Sequence, residues 1–159
     1  MRSPIAPLLL VLGLMLSGIA DARAQAIRID DSASQVLTPG QVPMQWRSVV
    51  PRPGEPPIIV GQVTVRVVLD LSKWVGRRGR IYHVLAPSNA GNVVARWTSD
   101  GTLAPGTVRD GQRTLVFDGV ITTARLVDTF RLVIEADGER VTRPQALDFG
   151  FELELEDAR

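Results

Sequence analysis

The chain contains no cysteine. That absence removes disulfides, thiolate nucleophiles and thiolate metal ligands together. It contains one histidine, His83, so no pair of imidazoles can hold a metal, and scattered carboxylates make a poor companion set. No G-x-S-x-G occurs, and no serine or aspartate is placed by sequence to work with His83. His83 therefore reads as a packed or edge-lying side chain in "RIYHVLAP". Helical periodicity is missing as well. No window of eleven residues repeats its apolar positions every 3.6. Lysine is almost absent, with Lys73 alone among 18 basic residues. Beyond residue 24 no apolar run is long enough to span a bilayer.

What is present begins with "PLLLVLGLML" (7–16), behind a positive Arg2 and ahead of Ala22-Arg23-Ala24. This is the pattern of a signal peptide over 1–24, cleaved after Ala24, with an uncleaved membrane anchor as the alternative. No cysteine follows the run, so a lipoprotein anchor is excluded. The expected mature chain, 25–159, holds 16 basic and 16 acidic residues, a net charge of zero. A neutral exported chain without a run of aromatics is not expected to bind nucleic acid.

Six of the eleven prolines fall between Pro39 and Pro57. Proline removes a ladder donor, so 25–57 is expected to be an extended Pro-rich arm. Within it, "VPMQWRSVV" (42–50) is expected to make short edge pairings and "PRPGEPP" (51–57) an exposed loop. The body, 58–159, alternates. Val63, Val65, Val67, Leu69 and Leu71 share one face of a strand. Strands are also expected over 80–87, 92–99, 113–119 and 129–141. Asp-Gly at 100–101, 110–111, 118–119 and 137–138 suggests type I′ turns between them. "ITTARLVDTF" (121–130) has room for one helical turn. "LDFGFELELE" (147–156) sets Leu147, Phe149, Phe151, Leu153 and Leu155 against an acidic back, the pattern of a strand with one buried face. These features predict an all-β fold: an immunoglobulin-like antiparallel β-sandwich with an N-terminal Pro-rich extension, a closed barrel being the alternative.

Chemistry is thinly represented. Glu152, Glu154 and Glu156 lie on one strand face, about 7 Å apart at alternate positions. Glycosidases use carboxylates near that spacing. On an exposed strand an acidic back instead discourages wrong pairing. "GRRGR" (76–80) reads as a solvated turn. Trp97 shares a face with Val93 and Ala95 and reads as core, Trp74 as partly exposed, and Trp46 as an anchor for the arm. No catalytic residue, metal ligand or cofactor is expected.

In organisation, the chain resembles subunits of bacterial chaperone–usher (pilin-like) fimbriae. The shared features are a cleaved signal, an N-terminal extension and a final amphipathic strand. The resemblance implies an incomplete sandwich whose groove beside the last strand receives a strand from a chaperone or a neighbouring subunit. It makes Ile27 and Ile29 of the arm candidate partner-binding residues; Trp46 in the arm and Trp74 before the Gly-rich turn are candidates by their own positions. Phe149, Phe151, Leu153 and Leu155 would border the groove. Apolar alternation in the arm stops after Ile29, so the alternative is a chain that completes its own sheets.

The function expected is therefore an exported, non-catalytic structural or assembly protein of the envelope, periplasmic or at the cell surface. Other envelope or fimbrial proteins and a periplasmic chaperone are its expected partners. The alternative is a monomeric periplasmic ligand-binding or inhibitor module using loops near Trp74–Arg80 and Ser88–Asn92.

Overall fold

The computed structural model describes residues 25–38, 42–48, 53–89, 92–141 and 146–156. The expected signal peptide, 1–24, and the first two residues of the 51–57 loop lie outside them. Ten strands follow one another. They are β1 (Ile27–Arg28), β2 (Gln35–Val36), β3 (Gln45–Trp46), β4 (Ile58–Asp70), β5 (Arg78–Leu85), β6 (Val94–Ser99), β7 (Gly106–Arg109), β8 (Arg113–Val120), β9 (Arg125–Asp137) and β10 (Phe149–Leu155). One sheet runs β1-β10-β5-β8 and the other β2-β4-β9-β6-β7, with β3 also on β4. All pairings are antiparallel, and the two sheets stack as a sandwich rather than closing into a barrel.

The alternation read from the sequence is what buries the core. On β4, Ile59, Val63, Val67 and Leu69 face inward. They meet Phe130, Leu132 and Ile134 of β9, Ile81 and Leu85 of β5, and Phe151 and Leu153 of β10. The β4–β9 ladder spans thirteen residues on each strand and forms the spine of its sheet. Trp97 is buried as expected, and its indole N–H donates to the carbonyl of Ala104 at 3.0 Å.

Two expectations about turns fail. No helix forms over 121–130; the chain bends at 121–124 and β9 starts at Arg125. Among the described residues the single helical turn is instead a 3₁₀ turn, Ser72–Trp74, carrying Lys73. Asp118-Gly119 is not a turn but part of β8, facing Arg80 and Gly79 of β5. Of the four Asp-Gly glycines only Gly111 has a positive φ, 70°. An Asp-Gly pair permits a primed turn, but cross-strand pairing decides whether one forms.

The acidic back of β10 is matched by its neighbours. Arg113 of β8 reaches Glu152 at 3.5 Å and Glu154 at 2.7 Å. Arg78 and Arg80 each bridge Glu156 and Asp118. Tyr82 donates its hydroxyl to Glu154 at 3.1 Å, and the Arg113 guanidinium lies 4.3 Å from the centre of the Tyr82 ring. Burial, reinforced by the Glu154 carboxylate, raises the Tyr82 pKa. The arginines of β5 and β8 thus neutralise the acidic back of β10 across one sheet face.

Among the described residues Asp128 is one of two buried polar ones, with His83, and lies at an inward position of β9. Its carboxylate accepts from the Ser99 hydroxyl at 2.9 Å and from the Leu103 amide at 2.8 Å. It fastens the 99–105 loop to the core. Asp128→Ala would leave the buried Leu103 N–H without its acceptor. A loss of about 2 kcal/mol is expected in urea unfolding. An unchanged midpoint would show that the loop is held by other contacts.

Candidate binding cavity

The arm positions the site. Ile27 pairs with Leu153, and the Ile29 amide donates to the Phe151 carbonyl at 2.9 Å. Ile29 is 1% exposed, in the core. At Asp30 the chain crosses to the second sheet, pairing with Asp70, and from there it follows β4 through β2 and β3. Beyond Ile29, therefore, no strand among the described residues pairs with the outer edge of β10. Phe149 turns its carbonyl to that edge, where only the Arg28 guanidinium meets it, at 3.3 Å. Gly150 makes room for that guanidinium: a Cβ there would collide with it. Gly138 does the same for the Trp46 ring.

Where the arm leaves β10, no strand among the described residues closes the sandwich. A cavity of about 1620 Å³ lies between the sheets. Its walls are apolar: Val63, Val65 and Val67 from β4, Phe130, Leu132 and Ile134 from β9, and Phe149 and Phe151 from β10. Val36, Met44 and Trp46 of the arm line it while remaining exposed, Trp46 by 56%. Drug-sized ligand pockets run about 300–1,000 Å³, so the space suits a large occupant.

His83 also lines this cavity. It is 3% exposed and sits among four aromatic rings. Trp97 and Phe130 meet it edge-on at 4.7 and 5.5 Å between centroids, while Phe149 and Phe151 stack on it at 5.4 and 4.8 Å. Its Nδ1 is buried with no hydrogen-bond partner among the described residues. Burial lowers its pKa from 6.5 to about 4, so the ring is neutral near pH 7. The remaining polar lining comes from the arm and the approach to β10: Asp31, Ser32, Ser34, Gln35, Thr38 and Asp148. Among the described residues no arginine or lysine is part of the lining.

No family model, curated protein or solved structure matches this chain. The site must be read from its own geometry.

Of the residues expected to bind partners, Trp46, Phe149 and Phe151 line the cavity. Ile27 pairs with Leu153 and Ile29 bonds Phe151, which fixes the arm on β10, while Leu155 pairs with Gly79 of β5. Trp74 does not join them. It is half-buried in the 3₁₀ turn and packs on the core away from the cavity lining. Sequence reasoning missed the union of His83 with this cleft, because the four rings come from β10 in its own sheet and from β6 and β9 in the facing sheet, and meet only after folding. Among the described residues no cluster of metal-ligating side chains occurs. No helix among them is long and apolar enough to cross a membrane.

Proposed function

We propose that this chain is an exported, non-catalytic assembly protein of the bacterial envelope. It would act by strand or edge association, as a fimbrial subunit or an accessory protein does. The observation that carries the reading is the outer edge of β10, paired with a strand only at its C-terminal half and opening onto an apolar cleft at the other. An extended segment added at Leu147–Phe149 would gain main-chain hydrogen bonds, and its alternate side chains would enter the cleft. Exposed apolar residues on the arm at the same mouth, Val36 and Trp46 among them, favour contact with another protein.

In-cell photo-crosslinking tests this. A photoreactive residue at Leu147 is expected to give a discrete adduct with an envelope protein. The same group at Val127, 45% exposed on β9, should give none. Equal labelling at both positions, or none at Leu147, would rule out edge association at β10. A second reading, a monomeric ligand-binding module, is favoured by the cavity itself and by the unpartnered nitrogen of His83.

A further inference from the structure

We propose that the cavity holds a neutral single-chain amphiphile: a hydrocarbon chain ending in one hydroxyl group that bonds the His83 imidazole. This inference rests on the ligand-binding reading and competes with strand addition at the β10 edge, which would fill the same cleft.

Three observations converge on that chemistry. The first is the wall. Val65, Val67, Leu132 and Ile134 offer only hydrocarbon, so the bulk of the occupant is hydrocarbon. The second is charge. A carboxylate or phosphate headgroup needs a cation or several donors when it is taken out of water. Among the described residues the lining has no arginine or lysine; of its two acids, Asp148 is paired with Arg28 at 3.7 Å, and Asp31 disfavours an anion. The third is His83. Its buried Nδ1 lacks a partner, and a buried polar atom left unpaired costs free energy that a ligand group can recover. The ring is held uncharged by the aromatic groups around it, so it cannot serve as a counter-ion. A neutral imidazole donates from one nitrogen and accepts at the other. A hydroxyl can do either, and so suits both tautomers.

Binding of decanol and decanoate to the purified chain from Gln25, followed by calorimetry and by the ¹⁵N resonances of the His83 ring, tests this directly. Decanol is expected to bind saturably and shift a ring nitrogen, with decanoate at least about tenfold weaker. His83→Phe should keep the fold and bring the two affinities within about threefold. Ala136→Leu, which adds bulk to the lining, should weaken both. If decanoate binds as tightly as decanol, the module binds ligands but the neutral class is wrong. If neither binds, the ligand-binding reading falls with it. If an alternating apolar peptide binds while decanol does not, the cleft receives strand side chains and the inference is overturned.

Discussion

Acidifying the purified protein from pH 7.5 to pH 5 is expected to remove about 2 kcal/mol of stability, read as a fall in the urea midpoint. The cause is His83, the only histidine. In the folded state burial lowers its pKa from 6.5 to about 4. Below pH 6.5 the unfolded chain takes up a proton that the folded chain refuses until about pH 4. The contribution is therefore whole above pH 6.5 and is lost as pH falls through that window. Other groups act lower down. Asp30 and Asp70 have pKa values held below 3.8, chiefly by hydrogen bonds from Ser32 and Ser72. What those carboxylates contribute is present above 3.8 and lost only beneath it. The window between pH 7.5 and 5 thus isolates the histidine. His83→Phe should flatten the profile there, since a phenyl ring fills the same aromatic surroundings without titrating. A variant that keeps the parental slope would place the acid sensitivity elsewhere.

Ile29→Ala is expected to cost about 3 kcal/mol, within the range for deleting a fully buried aliphatic side chain. Ile29 is where the arm stops being an extension and becomes part of the core, at 1% exposed. Its loss also weakens the hold of β1 on β10, so limited proteolysis should cut the segment between β1 and β2 more readily. Ile27→Ala removes a half-buried side chain from the same seam and should cost less. A penalty under about 1 kcal/mol for Ile29→Ala would mean that the arm is docked too loosely in solution to complete the sheet.

The strands that carry the fold were readable because each has one wet face. The alternation of β10 and the Val63–Leu71 run on β4 state their own orientation, and burial follows it. The charges were readable only by half. The acidic back of β10 is plain in the chain, but its arginine partners come from β5 and β8, brought alongside by pairing. Asp128 was within reach: it shares a parity with Phe130 and Leu132, so its inward placement follows from the pattern. Its purpose did not, because Ser99 ends β6 and Leu103 lies on the loop that follows it. The arm was hardest. Its prolines forbid long pairing, and the chain meets that limit with two-residue strands split between the sheets, a division that no period reveals. The cavity is the product of that split, and so is no property of any single segment.

The 3₁₀ turn has a practical consequence. Lys73 is exposed there, just past the Asp70 end of β4. It is the only lysine. With the α-amino group blocked, an amine-reactive fluorophore or surface linker would thus attach at one location. Molecules immobilised through it would all be held in one orientation.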